Sequence, residues 1–212
     1  IIYNGNPVRK AFFSVTKEEA REKLLIPEDK KVIFAMGGSQ GAKTINTAMI
    51  NILKELSENL NAFVILQTGK KKFEDTLIEL ETVYPEYRNN NNIMIRPYFD
   101  EMVYPLKASD LVISRAGSLS LTEIIQCHAA SILIPYPYAA QDHQRKNAKE
   151  MCSKGAALYL EDNECSGINL LNKIKEIINT PDKLDLMREN AENLARINPA
   201  EAIVKQLKSI IK

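Results

Sequence analysis

Short apolar runs alternate with longer helical patterns along most of this chain, and this alternation constrains the fold more than any other feature. The runs lack the polar alternation of a half-exposed strand, which is typical of strands covered on both faces. Six such runs separated by helices predict an α/β domain with a doubly wound parallel sheet of about six strands. The predicted strands are 31–36, 63–67, 93–95, 111–114, 132–134 and 157–160.

Local geometry, rather than net charge, must account for any anion binding by this chain. Lys and Arg (28) nearly balance Asp and Glu (27), so no global positive field favours nucleic acid as a partner. The three cysteines are not spaced as metal ligands, and their odd number argues against a disulfide framework. Two histidines are too few for most metal sites. No apolar run reaches the roughly 18 residues of a membrane span. We expect no metal, no cofactor and no nucleic acid partner.

Residues 37–42 (GGSQGA) connect the first predicted strand to a helix. A doubly wound sheet binds ligands at the carboxyl ends of its strands, where glycines let the backbone approach a phosphate closely. The following helix N-terminus offers free N–H groups, and Ser39 adds a hydroxyl. The spacing matches neither a dinucleotide fingerprint nor a Walker A loop. A tight turn with Ser39 as a helix cap is an equally good interpretation of this motif alone.

Residues 114–123 (SRAGSLSLTE) repeat this arrangement after the fourth strand. Glu123 falls in the first turns of a helix, where its two oxygens suit the two hydroxyls of a ribose. Ser120 and Glu123 also have the spacing of a capping box, in which both side chains bind the helix end. The residues alone favour the capping box.

Other segments place polar or charged residues near the predicted ligand edge. Prolines in 135–138 (PYPY) stiffen the loop after the fifth strand, and the amides that follow suit sugar hydroxyls. Asp142 as an N-cap is the alternative there. Residues 5–9 (GNPVR) end in Arg9, whose guanidinium can stack on a base or bind phosphate, although a lone arginine is more often a surface residue. Residues 70–72 are predicted to be a solvated charge run.

Four of these segments occur together, and in this order, in one family. Residues 5–9, 37–42, 114–123 and 142–148 (DHQRKNA) resemble the MurG family, the UDP-GlcNAc:undecaprenyl-pyrophosphoryl-MurNAc-pentapeptide GlcNAc transferases of peptidoglycan synthesis. The resemblance runs through nearly the whole chain. It implies the Rossmann-like, C-terminal half of a two-domain GT-B fold.

The resemblance implies a role for each segment. The region of Ser39 would hold the donor diphosphate, and Glu123 would bind the ribose hydroxyls, which overturns the capping interpretation. Arg9 would lie against the nucleotide, the backbone at Phe99 would read uracil, and the pair at 143–144 would contact GlcNAc. The donor-binding residues implied are Arg9, Gly38, Ser39, Gln40, Phe99, Ser118, Leu119, Glu123, His143 and Gln144.

The resemblance also implies three parts of the chain. Residues 1–30 would be the linker and first helix that follow an N-terminal domain outside this sequence. Residues 31–197 would form the domain that binds the donor. Residues 198–212 would form a helix that packs on the N-terminal domain, so an exposed apolar face is expected at Ile203 and Leu207, together with Ile210.

The family's activity is the inverting transfer of GlcNAc from UDP-GlcNAc to lipid I, without a required metal. In the family, the acceptor site, the general base and the membrane-facing patch belong to the N-terminal domain. We therefore expect this chain to bind the donor but to contain no catalytic residue of its own. The whole enzyme would be cytoplasmic and peripheral on the inner face of the cell membrane, where the missing domain meets lipid I.

Residues 128–130 (HAA) depart from the family pattern, which has Gly-x-Pro between this helix and the next strand. Glycine enters the left-handed region easily, and histidine tolerates it less well. The geometry of this turn is therefore the part of the resemblance that the residues do not support.

Three other functions fit the same donor architecture. The chain could belong to another UDP-sugar GT-B enzyme, such as a glycolipid synthase with a different acceptor. It could be a non-catalytic donor-binding subunit that works with a separate membrane partner, although the thirty residues before the first strand favour a truncated enzyme. A UDP-GlcNAc 2-epimerase shares the fold but would need more acid/base residues than His143 in its sugar pocket.

Overall fold

The computed structural model describes residues 6–195 and 199–210. At its centre is a six-stranded, wholly parallel sheet with the strand order β3-β2-β1-β4-β5-β6, which confirms the predicted doubly wound fold. The strands are β1 (Val32–Met36), β2 (Phe63–Gln67), β3 (Ile93–Arg96), β4 (Leu111–Ser114), β5 (Ala130–Leu133) and β6 (Ala157–Tyr159).

Helices cover both faces of this sheet. They are α1 (Ala11–Ser14), α2 (Lys17–Lys23), α3 (Lys43–Lys54), α4 (Phe73–Val83), α5 (Val103–Ala108), α6 (Ser118–Gln126), α7 (His143–Ser153), α8 (Gly167–Ile178), α9 (Pro181–Leu194) and α10 (Pro199–Ile210). Helix α9 begins at Pro181, because proline fits the first turn of a helix.

The central strand β1 shows why the strand residues read as continuous apolar runs. Its side chains alternate between two cores, and all five of its residues are buried. Ile33 and Ala35 pack in the core formed with α3, α4 and α8. Phe34 and Met36 pack in the core formed with α1, α2 and α5. A strand covered on both faces has no exposed side on which polar residues would alternate.

The order of the strands reverses between β1 and β4. Residues Ile33 and Leu111 are paired across this boundary, whereas β1 pairs on its other side with β2. The chain builds outward from β1 to β3, and then returns to place β4 beside β1. Ligands of doubly wound sheets bind in the crevice that opens at this reversal, outside the carboxyl ends of the two strands.

At the opposite, amino edge, a buried carboxylate ties the N-terminal helices to the sheet. The carboxylate of Asp110 accepts hydrogen bonds from the backbone N–H of Val32 (2.8 Å) and from Arg21 (2.9 Å). It also pairs with Lys17 at 2.5 Å. Helix α2 is therefore fixed to the sheet, and the assignment of residues 1–30 to an interdomain linker stays a prediction.

The C-terminal helix α10 presents apolar side chains to solvent. Val204 and Leu207 are about half exposed (49% and 52%), and Ile203 is partly buried. The side chain of Ile210 lies outside the described part of the structure. So does residue 197, at which the predicted donor-binding domain ends. Among the helices of residues 6–195 and 199–210, none combines the length and apolar character that a membrane span requires.

Candidate functional site

A cleft of about 680 Å³ opens at the reversal of the strand order. Its walls come from the segments that follow β1, β2, β4, β5 and β6, so five separate segments meet at one edge of the sheet. Of the predicted site residues, Gly38, Ser39, Gln40 and Gln144 line this cleft. This is the position at which the fold favours ligand binding.

The loop of residues 37–42 needs its glycines for different reasons. Gly38 and Gly41 both have left-handed backbones, with φ of +77° and +71°. A Cβ at Gly38 would meet nothing within 4 Å, whereas a Cβ at Gly41 would overlap the carbonyl oxygen of Thr68. The loop therefore presents open backbone to the cleft at Gly38, while Gly41 lets it pack against the end of β2.

Three helices begin around this cleft, and in the described structure none of them has a side-chain cap. The N-cap position of α3 is Ala42, so Ser39 does not cap this helix. The N-cap position of α6 is Gly117, so the capping box of Ser120 and Glu123 is wrong: the helix begins earlier than that spacing requires. Asp142 precedes α7 but does not cap it. Uncapped N–H groups and the positive end of a helix favour a bound anion.

Cationic side chains add to this positive potential. Lys43, Lys72 and Arg115 line the cleft, together with the carboxylate of Asp162. The Arg115 guanidinium pairs with Asp162 at 2.5 Å, which leaves the two lysines without a carboxylate partner among the described residues. Of the predicted solvated charge run at 70–72, Lys72 lines the cleft because the turn after β2 brings it there. Three phosphate-compatible features share one space: the open loop, the helix ends and the two lysines.

Gln144 occupies the side of the cleft near β5 and β6. Its side-chain oxygen accepts a hydrogen bond from the backbone N–H of Tyr136 at 3.0 Å, so its amide nitrogen is the group able to donate to a ligand. The neighbouring His143 is exposed, and its Nδ1 lies 2.6 Å from the carbonyl oxygen of Ala140. His143 is not among the residues that line the cleft. Of the predicted pair, the structure thus brings only Gln144 to the site.

A second group of predicted residues lies where the N-terminal segment crosses the sheet edge. The guanidinium of Arg9 donates to the carbonyl oxygen of Asp100 at 2.8 Å. Glu123 is half-buried; burial raises the pKa of its carboxyl above the usual value, and the charge of Arg9 opposes that shift. Phe99 packs edge-on against Phe34, with ring centroids 6.0 Å apart. The structure thus brings the segments of Arg9, Phe99 and Glu123 together at one part of the sheet edge.

Besides His143, two further predicted residues lie apart from both groups. Ser118 lines a smaller groove of about 190 Å³ with Asn6 and Thr122, whose hydroxyl accepts a hydrogen bond from Asn6 at 3.3 Å. Leu119 is exposed and contacts neither group in the described interactions. Only the backbone N–H groups of these two residues, at the start of α6, point to a role in anion binding.

Sequence reasoning missed two residues that organise the site. The buried side chain of Gln67, at the end of β2, accepts a hydrogen bond from the backbone N–H of Phe99 at 3.0 Å. Asp162, after β6, accepts from Thr44 at 3.3 Å as well as from Arg115. Their positions at strand ends were the available signal, because strand ends form the ligand edge.

In the described part of the chain, the remaining reactive side chains do not form a catalytic cluster. Burial raises the pKa of the Cys127 thiol to about 12 and that of Cys165 to about 11, so neither is an activated nucleophile. Burial lowers the pKa of His128, which has a left-handed backbone with φ of +54°. Within residues 6–195 and 199–210, no three His, Cys, Asp or Glu side chains lie close enough to hold a metal ion.

The strand order and the cleft at its reversal define a Rossmann-like α/β domain of the kind that forms the C-terminal half of GT-B glycosyltransferases. The chain belongs to the family described as the glycosyltransferase family 28 C-terminal domain, whose model matches residues 32–207.

Comparison with known proteins gives relatives across the whole chain. It is 37% identical over 210 residues to the UDP-N-acetylglucosamine--N-acetylmuramyl-(pentapeptide) pyrophosphoryl-undecaprenol N-acetylglucosamine transferase of Thermoanaerobacter sp. (strain X514), covering 99% of this chain and 57% of the relative. The protein of the same name from Desulforamulus reducens is 33% identical, with coverage of 100% and 57%. The crystal structure of Acinetobacter baumannii MurG superimposes with a TM-score of 0.74 at 25% identity, covering 95% of this chain and 55% of that one. The chain thus spans just over half the length of these relatives.

Proposed function

We propose that this chain is the donor-binding domain of a UDP-GlcNAc-dependent transferase that converts lipid I to lipid II in peptidoglycan synthesis. One observation carries the proposal: a cleft at the strand reversal combines an open glycine loop, three uncapped helix ends and two unpaired lysines. This combination suits a diphosphate held without a metal. Similarity to curated GlcNAc transferases over the whole chain favours UDP-GlcNAc as the donor.

The proposed donor would lie across both groups of residues. Its uracil and ribose would occupy the side of Arg9, Phe99 and Glu123, with the Glu123 carboxylate accepting from the ribose hydroxyls. Its diphosphate would lie between the glycine loop and the start of α6, and its sugar would reach Gln144. The charged form of Glu123 is disfavoured by burial, so hydrogen bonds from a diol would offset that penalty in the complex.

The acceptor and the membrane belong to the proposal for the whole enzyme. A lipid-linked MurNAc-pentapeptide would bind to a further domain, and the reaction would take place at the cytoplasmic face of the membrane. The apolar face of α10 would then pack on that domain, which accounts for its exposure here. This chain would hold and orient the donor.

Calorimetric titration with UDP-GlcNAc, UDP-glucose and ADP-glucose tests the proposal. We expect selective binding of UDP-GlcNAc that is lost in Glu123→Ala, because the ribose contact disappears. Glu86→Ala is the matched control, since Glu86 is exposed at the opposite edge of the sheet, before β3. Equal affinity for all three nucleotide-sugars, or wild-type affinity for UDP-GlcNAc in Glu123→Ala, would contradict the proposed donor site.

A further inference from the structure

The segment before α7 contains two consecutive left-handed residues. Gln141 and Asp142 have φ of +51° and +56°, and neither is glycine. Residues with side chains rarely adopt this region, and two in succession persist only when neighbouring contacts hold them. The segment follows the cleft-lining residues 136–138 and leads directly into Gln144. A strained backbone therefore lies beside the proposed sugar site.

One arginine binds the side chain of the second of these two residues. Arg145, in the first turn of α7, donates to both carboxylate oxygens of Asp142, at 3.0 and 3.1 Å. The same guanidinium donates to both oxygens of Glu161, each at 3.2 Å, and to the hydroxyl of Tyr159 at 3.2 Å. Arg145 thus joins the segment before α7 to the end of β6, with every nitrogen of its guanidinium engaged.

These contacts keep Asp142 from its ordinary role. Aspartate immediately before a helix normally adopts an extended backbone and caps the first N–H groups with its carboxylate. Here its carboxylate faces Arg145, its backbone is left-handed, and it makes no cap. No described side chain caps α7, and of its first N–H groups that of His143 donates to the carbonyl oxygen of Ala140. Gln144 is held with its oxygen on the backbone N–H of Tyr136.

We propose that Arg145 is a positioning residue for the sugar part of a nucleotide-sugar. It holds the carboxylate of Asp142 away from the first N–H groups of α7, so that this end of the helix and Gln144 face the ligand. The inference rests on the proposed donor function. It assigns to Arg145 no contact with the ligand itself. Loss of Arg145 lets Asp142 return to the extended backbone and cap α7, which places a carboxylate where sugar hydroxyls would bind.

Calorimetry with UDP-GlcNAc and with UDP tests this inference, because only the first ligand carries the sugar. In Arg145→Met the UDP-GlcNAc affinity should fall about tenfold, as for a lost set of polar contacts, while the UDP affinity changes less than twofold. The thermal midpoint should fall only slightly, because the cap and the relief of strain at Asp142 offset the lost hydrogen bonds to Glu161 and Tyr159. A residue needed only for folding would instead lower the midpoint and weaken both ligands equally.

A second substitution separates the strain from the charge. In the double variant Arg145→Met, Asp142→Gly, glycine adopts the left-handed backbone freely and carries no carboxylate to cap α7. Most of the lost UDP-GlcNAc affinity should return. Lys173→Met is the matched control, since Lys173 forms an ion pair with Glu176 on the remote helix α8, at 3.5 Å and with the same spacing.

The outcomes distinguish the inference from the function on which it rests. Equal loss of both ligands in Arg145→Met, no loss of either, or no recovery in the double variant would each overturn the role of Arg145. Wild-type protein that binds neither UDP nor UDP-GlcNAc would overturn the proposed function, and the inference with it. Wild-type protein that binds both, with an unchanged ratio of dissociation constants in Arg145→Met, overturns only the inference.

Discussion

The backbone N–H of Phe99 donates to the side-chain oxygen of Gln67 at 3.0 Å, and this Gln67 side chain is only 1% exposed. The bond joins the end of β2 to the loop proposed to read uracil. It fixes the position of that loop through the buried amide of Gln67.

Gln67→Leu should therefore weaken both folding and nucleotide binding. The substitution leaves the N–H of Phe99 without its partner, which costs about 1–3 kcal/mol of unfolding free energy. Urea denaturation and titration with UDP measure the two effects. Gln126→Leu, at the less buried end of α6, is the control and should stay within about 0.5 kcal/mol of wild type. Unchanged UDP affinity in Gln67→Leu would mean that the loop is held by other contacts.

The two left-handed glycines of the cleft loop should respond differently to alanine. At Gly41 the new Cβ overlaps the Thr68 carbonyl, so Gly41→Ala should unfold the protein or lower its stability by more than about 3 kcal/mol, as overpacking adds to backbone strain. At Gly38 the space is open, so Gly38→Ala should fold with a loss of about 1–2 kcal/mol from the left-handed backbone.

Gly38→Ala, the variant with the smaller loss of stability, should be the one whose folded form loses UDP binding, because it puts a methyl group into the cleft. Circular dichroism melts and UDP titration are the measurements. A folded Gly41→Ala protein with wild-type stability would contradict the contact with Thr68.

Glu123→Gln should make the protein more stable at neutral pH and weaken donor binding. Burial raises the pKa of the Glu123 carboxyl in the folded state, so its ionisation opposes folding. This penalty is complete above the folded pKa and disappears as the pH falls toward the unfolded value near 4.5. Urea midpoints of variant and wild type should differ at pH 7 and converge at pH 4. A gain that is equally large at pH 4 would point to packing instead of charge.

His128→Gly should stabilise the fold, more so in acid. Glycine relieves the left-handed backbone of His128, which is worth about 1 kcal/mol before the greater freedom of glycine in the unfolded chain is subtracted. Burial also lowers the pKa of His128 in the folded state. The wild-type protein therefore becomes less stable as the pH falls below 6.5, because the imidazole of the unfolded chain gains its proton first. Denaturation at pH 7.5 and pH 5 should show the larger gain at pH 5.

The pattern of burial explains which features the sequence predicts well. Strands covered on both faces must be apolar throughout, so β1 and β4 stand out, and the ligand edge follows from the topology of a doubly wound sheet. The resemblance to a known family supplied the donor-site residues, since each motif alone had an ordinary structural explanation.

Contacts between distant segments were beyond the reach of the sequence pattern. Gln67 and Phe99 meet because Gln67 is paired in register with Arg96, which places the loop after β3 beside the end of β2. The capping box of Ser120 and Glu123 was wrong because helix α6 begins after Gly117, one turn before that spacing requires. Spacing cannot distinguish these two starts, since glycine also occupies N-cap positions.

The strand reversal also orders events as the chain folds. Strand β1 can pair with β2 after about thirty further residues have appeared, but its other neighbour, β4, lies nearly eighty residues along. The cleft needs that late, long-range pairing as well as the loops after β5 and β6. Secondary structure should thus return early during refolding, and recovery of a ligand-binding signal should lag behind it, so that nucleotide affinity reports the completion of the whole sheet.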